Sequence, residues 1–181
     1  KKFFSKHKIK IKLEYSKTKF TSFSRNDQFG VEIYSSREAM DSRFKEIEKQ
    51  EIVNEDASGA AIVNRGLSLV SFHELKSESE FCKLAAATIC HEQLHQLGLW
   101  HTNEFRPEIK GYQDDKGITN IMRGGIADFE KSPVGYDISS MQEKLIHSYV
   151  GKGNAYRAFF IESGRDFVNY LDRIARENSL G

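Results

Sequence analysis

Ile9, Ile11, Leu13 and Tyr15 alternate with Lys8, Lys10, Lys12 and Glu14. Alternation with a period of two predicts a strand with one buried and one solvated face. Lysines along such a strand would also blunt an exposed edge. After a polar turn at 24–30, Val31-Glu32-Ile33-Tyr34 reads as a second short strand. Ser36 is placed to cap a helix over 37–50, with Met40, Phe44 and Ile47 on its inner face.

Two apolar runs at 59–64 and 67–72 are separated by Asn64-Arg65-Gly66, which predicts a hairpin. Ser77-Glu78-Ser79-Glu80 has capping-box spacing. Between Phe81 and Cys90 the only charged residue is Lys83. The helix that follows the cap should therefore lie in the core. It runs to about Leu97, and Gly98 is suited to end it in the left-handed conformation. The stretch 101–137 is irregular and rich in Gly, Asp and Asn, the kind of long loop that is usually functional or disordered. Ser139-Ser140-Met141-Gln142 is a further capping-box spacing, opening a helix to about Tyr149. Gly151-Lys152-Gly153 interrupts it. A last amphipathic helix begins at Ala155 or Arg165 and ends near Glu177, with Phe167, Tyr170, Leu171 and Ile174 inward.

A chain of 181 residues fits one domain, or two small lobes sharing a core. A net charge of +1 gives no reason to expect nucleic acid or an anionic membrane as partner. Charge is uneven, since eight lysines between Lys1 and Lys19 face only Glu14. A solvated strand face is the preferred reading, and a basic arm the alternative. Cys82 and Cys90, eight positions apart on one helix, would sit roughly 12 Å apart, too far for a disulfide. They read as small buried apolar residues. There is no run of 18 apolar residues, hence no membrane span is expected. A chain opening on Lys1-Lys2 reads as a processed product or an excised piece.

The chemistry concentrates in His91-Glu92-Gln93-Leu94-His95-Gln96-Leu97-Gly98-Leu99-Trp100-His101, which is H-E-x-x-H-x-x-G-x-x-H. Residues at i and i+4 share a helical face, so His91 and His95 can present nitrogens to one ion. Gly98 permits a sharp reversal that returns His101 as a third ligand. Three neutral nitrogens leave one position open, the arrangement of a catalytic zinc site. Glu92, rotated about 100° around the helix, is placed to act as general base. Zinc lowers the pKa of water to about 7 and carries developing oxyanion charge, which suits hydrolysis at a carbonyl. The motif resembles that of zinc peptidases, which implies a peptide bond as the target. Five fixed positions recur by chance in such a chain with a probability on the order of 10⁻⁵ to 10⁻⁴. His7, His73 and His147 have no ligand spacing and read as ordinary surface or core histidines.

On these residues the chain resembles the metzincin clan of zinc endopeptidases. The resemblance implies an α+β fold: a single catalytic domain over 1–181 with an upper lobe at about 1–98 and a lower one at about 99–181. The upper lobe would hold a twisted mixed sheet and the zinc helix, and the lower lobe would be irregular and helical. It also implies a methionine turn beneath the metal. Met122 in Asn120-Ile121-Met122 is the candidate, and Met141 the rival. Thr102, the Asn-x-Met turn and Ser139-x-x-Gln142 look faintly like pappalysins. The tyrosine that astacins and serralysins carry after the turn is missing, because Gly124 stands there. Tyr136 could approach the site from the loop.

By the same resemblance the protein would be a monomeric, secreted or cell-envelope enzyme acting on proteins or peptides. Substrate would add as a strand along an upper-sheet edge, for which 67–72 is the candidate, and 123–136 would line the pocket. Two rival readings stand beside this one. A zinc hydrolase could complete H-E-x-x-H with a downstream carboxylate such as Glu130 or Glu143. Alternatively, a catalytically inert module could keep zinc for structure and use the cleft for binding.

Overall fold

The computed structural model describes residues 2–16, 29–49, 58–62, 66–71, 78–99, 101–102, 119–123 and 136–149. These form a mixed α+β fold. In chain order the elements are α1 (Lys2–Lys6), β1 (Gly30–Tyr34), α2 (Arg37–Glu48), β2 (Gly59–Ile62), β3 (Leu67–Ser71), α3 (Glu78–Gln96), β4 (Thr119–Asn120), β5 (Tyr136–Asp137) and α4 (Ser140–Tyr149).

The three longer strands make one sheet in the order β1-β3-β2, with β1 parallel and β2 antiparallel to β3. β3 is central, and every one of its residues is buried. Alternation along β3 divides the sheet's two faces. Leu67 and Leu69 join Ile62 and Met40 of α2 in an apolar cluster, with Tyr34, Phe44 and Ile47 packed around it. The inner face expected for α2 is thus the observed one. Across this face Arg43 bonds Glu32 of β1 through Nε at 3.0 Å and Nη2 at 3.2 Å. The opposite face carries Gly59, Ala61, Ser68 and Val70, which are mostly small and let α3 approach closely.

Polar anchors fix α3 on that face. Gln96 Nε2 donates to the Leu67 carbonyl at 3.0 Å and to Ser68 Oγ at 3.2 Å. Gln93 Nε2 donates to Ser68 Oγ at 3.1 Å, and Ser68 Oγ donates to the Glu92 carbonyl at 3.3 Å. α3 is less enclosed than its sequence suggests: Ala85, Ala87, Thr88 and Leu94 are buried, but Ala86 faces solvent. An exposed alanine costs little apolar surface, so an apolar stretch tolerates one wet side. The Ser77 cap lies outside the described residues, as do Cys82's side chain and the closing helix.

The caps predicted for α2 and α4 are present. Ser36 Oγ accepts from Ala39 N at 3.2 Å. Ser139 Oγ accepts from Gln142 N at 3.2 Å, while Gln142 Oε1 accepts from Ser139 N at 2.8 Å, a reciprocal capping box.

Two expectations are corrected. No strand forms over 8–15. The chain makes the short helix α1, Lys8 turns left-handed at φ 57, and only Phe4, His7 and Ile9 are buried there. Leu13 and Tyr15 are exposed. Alternation creates a strand only where a neighbouring strand accepts its hydrogen bonds, and residues 9–16 pair with none of the described strands. The second correction concerns the edge of the sheet. Residues 67–71 occupy its centre, and among the described strands β1 and β2 are outermost.

Candidate metal centre

α3 ends in a Schellman turn. Gly98 N–H donates to the His95 carbonyl at 2.9 Å and Leu99 N–H to the Leu94 carbonyl at 3.0 Å, with Gly98 at φ 96. A side chain at this φ would be strained, so the glycine is required for the reversal. The turn brings His101 back to the helix. The Nε2 atoms of His91, His95 and His101 form a nearly equilateral triangle, with edges of 3.0, 3.1 and 3.1 Å. Among the described residues this is the one cluster of three or more side chains able to hold a metal ion.

Backbone carbonyls orient two of the rings. His91 Nδ1–H donates to the Ile121 carbonyl at 2.6 Å, and His95 Nδ1–H to the Leu99 carbonyl at 2.6 Å. With the proton on Nδ1, each Nε2 presents a lone pair. The 3.1 Å approach of these two Nε2 atoms is then no hydrogen bond. Two lone pairs face each other, which is unfavourable unless a positive species sits between them. A proton is a poor candidate. Burial, joined by the charge of His101, pushes His91 down to about 4 despite the Ile121 hydrogen bond. Burial and the neighbouring His91 and His101 push His95 well below the usual imidazole range. A divalent cation satisfies both lone pairs and can take His101 Nε2 as a third donor. Tetrahedral zinc at 2.0–2.1 Å from each nitrogen requires nitrogen separations of about 3.3 Å, close to those found. The triad therefore fits a bound divalent ion with little movement.

The support under the triad comes from the segment around Asn120. Ile121 and Met122 are fully buried, and Met122 N–H donates to Asn120 Oδ1 at 2.9 Å. Arg123 N–H donates to the Asn120 carbonyl at 3.0 Å, closing the turn. The Met122 carbonyl accepts from Thr102 N–H at 2.9 Å, directly after His101. One turn thus braces both the first and the third histidine segment. Asn120 Nδ2 in turn donates to Gln142 Oε1 at 2.8 Å, tying the turn to the capping box of α4. Of the two methionines considered for this position, Met122 lies in the turn and Met141 lies in α4.

β4 and β5 pair in parallel, and Ile121 N–H donates to the Asp137 carbonyl at 2.8 Å. The Asp137 carboxylate bonds Lys6 and, at 2.7 Å, His7 Nε2. Glu143 faces His7 Nδ1 at 3.5 Å, and His147 Nε2 donates to the His7 carbonyl at 2.9 Å. The N-terminal segment is therefore pinned to the elements supporting the triad. Glu143 belongs to this cluster and not to the histidine triad; Glu130 lies outside the described residues. His7 is buried at 4% exposure, and nothing in its sequence spacing announced the pairing with Asp137.

Glu92 lies on α3 beside β2, only 6% exposed. Burial pushes its carboxyl up to about 8. A cation within the triad would draw that value down again. Of Tyr136 only the backbone, paired with Thr119, is described. The stretch 124–135 is outside the described residues.

No protein-family model matches the chain, and no curated protein or solved structure matches it. No helix among the described residues is long and apolar enough to cross a membrane. The class that fold and site define is thus an α+β protein carrying a three-histidine centre able to bind a divalent metal ion.

Proposed function

We propose that the chain is a zinc-dependent endopeptidase of the metzincin kind, with His91, His95 and His101 as ligands and Glu92 as general base. The supporting observation is the triangle of Nε2 atoms, two from α3 and one from the turn after it, with the buried carboxylate of Glu92 next to His91 on the helix. Three nitrogen ligands leave a coordination position for chemistry. Zinc, when bound, supplies Lewis acidity at a carbonyl and makes water a usable nucleophile near neutral pH. Glu92 accepts the proton from the attacking water on its carboxylate and returns it to the departing amine. Met122 takes the part of the methionine turn, bracing the ligands through Ile121 and Thr102. A peptide would add as a strand to β2, the sheet edge next to Glu92, in place of the central segment suggested by sequence.

A second reading has its own observation. Glu92 is nearly enclosed, and no hydrogen bond to its carboxylate is found among the described residues. A domain that keeps zinc for structure and uses the neighbouring surface to bind a partner would share that feature. Glu92→Ala separates the two. On the peptidase reading the variant retains one zinc per chain and its fold, and loses proteolysis by about 10²-fold or more. If wild type and variant are equally inert across broad peptide libraries while both hold zinc, the binding reading replaces the first. His101→Ala tests the ligand set: metal content and activity should both fall, and retention of both would remove His101 from the site.

A further inference from the structure

β2 begins at Gly59 directly against the Glu92 side chain. A Cβ built on Gly59 would stand 2.5 Å from Glu92 Oε1 and 2.9 Å from both Cδ and Cγ. No relaxed structure holds carbon that close to a carboxylate. Gly59 is also not among the positive-φ residues, so its backbone would accept a side chain readily. The glycine is there for space.

Neither backbone is free to retreat, because β3 holds both. Gly59 is in register with Val70, and Ser71 N–H donates to the Ser58 carbonyl at 2.9 Å. On the other face of the contact, Ser68 Oγ donates to the Glu92 carbonyl, and Gln93 and Gln96 bond Ser68 and Leu67. The distance between β2 and α3 is thereby set by β3, to which both are tied. A methyl at position 59 must be accommodated by rotation of the Glu92 side chain, since the main chains are tied.

We propose that Gly59 is a positioning residue for Glu92: the side chain it lacks is the space in which the carboxylate stands beside the end of β2. Its catalytic consequence rests on the role of Glu92 proposed above; the placement itself does not. The mechanism of action is steric. Gly59→Ala turns the carboxylate away from where it would meet the reacting water, without touching the three histidines.

The test is a cycle of Gly59→Ala in three backgrounds, wild type, Glu92→Gln and Glu92→Ala. Thermal unfolding is followed on the full chain, as isolated and after chelation. Glutamine fills the same volume as glutamate, so the alanine should lower the melting temperature by about 5 °C in both backgrounds. With Glu92→Ala the obstruction is gone, and Gly59→Ala should be neutral or raise the melting temperature by about 1–3 °C through the less flexible unfolded chain. Equal shifts in all three backgrounds overturn the placement. Should Gly59→Ala alone not fold, recovery of folding in the double variant with Glu92→Ala supports it, and failure of that variant to fold overturns it. For the catalytic part, Gly59→Ala should keep one zinc per chain and an unchanged KM while kcat falls about 10²-fold. Unchanged kcat refutes positioning. A wild type without peptidase activity sinks the role given to Glu92, while the stability cycle still decides the placement.

Discussion

Asn120 is the residue on which the support beneath the metal triad converges, and Asn120→Ala is the most informative single perturbation. Its Oδ1 accepts from Met122 N–H at 2.9 Å, and its Nδ2 donates to Gln142 Oε1 at 2.8 Å. All three residues are buried. Truncation orphans the Met122 N–H, which costs about 1–3 kcal/mol, and forfeits the amide bond to Gln142, worth about 1 kcal/mol. The sum is about 2–4 kcal/mol, or a fall in melting temperature of roughly 5–15 °C for a chain of this length. A second effect reaches the metal. The turn holds the Ile121 carbonyl against His91 Nδ1 at 2.6 Å, and loosening such a support weakens metal affinity about 10-fold or more. Differential scanning calorimetry of the chelated protein measures the first effect, and competitive zinc titration with a chromophoric chelator the second. Asn120→Asp should fall between the two, since it keeps the acceptor for Met122 N–H but faces Gln142 Oε1 with a carboxylate oxygen. Gln142 can relieve this by turning its amide, at the expense of the bond from Ser139 N–H. If Asn120→Ala melts within about 1 °C of wild type and binds zinc equally well, the turn is not the brace argued for here.

Further outcomes follow from other parts of the fold. Gly98→Ala forces a side chain to φ 96 at the end of α3, so it should cost about 1–2 kcal/mol and lower zinc affinity by displacing His101. Calorimetry and metal titration read these together, and an unperturbed variant would mean the turn relaxes freely. Burial tends to raise the Asp137 carboxyl, but hydrogen bonds from Lys6 and the Ile138 N–H, with the charge of His7, outweigh it and hold the group below its ordinary value. A depressed folded-state value contributes stability above the unfolded value of about 4 and loses it as pH falls through the folded one. Urea denaturation should therefore show wild type more stable than Asp137→Asn at neutral pH, the gap narrowing below about pH 4; a gap that widens on acidification would reverse the sign. Burial pushes the Cys90 thiol above its ordinary value, so alkylation at neutral pH should be slow in the folded chain and rapid in denaturant. Cys90 is half-buried and not fully enclosed as its sequence setting suggested, and fast labelling of the native protein there would contradict the raised thiol.

Local chemistry made much of this protein legible before any coordinates. The helix from Arg37 to Glu48, the hairpin strands flanking Gly66 and the capping box of α4 follow from caps, turn residues and periodicity, which act over a few positions. The three metal-facing histidines are readable for the same reason. His91 and His95 are one helical turn apart, and the glycine reversal that returns His101 is encoded within eleven residues. Tertiary structure alone decided the rest. The lysine-rich alternation at the N-terminus pairs with none of the described strands, and strand formation depends on a neighbour that the sequence does not specify locally. Which strand lies outermost depends on long-range pairing, and among the described strands it is β2, not β3, that flanks Glu92 at the side of the sheet. The pairing of His7 with Asp137 spans 130 positions, and the contact of Gly59 with Glu92 joins separate elements across the sheet. Such contacts arise only when packing brings distant segments together. The convergence of the three histidines is thus a local property of the chain, while their bracing and the room left for the Glu92 carboxylate belong to the fold.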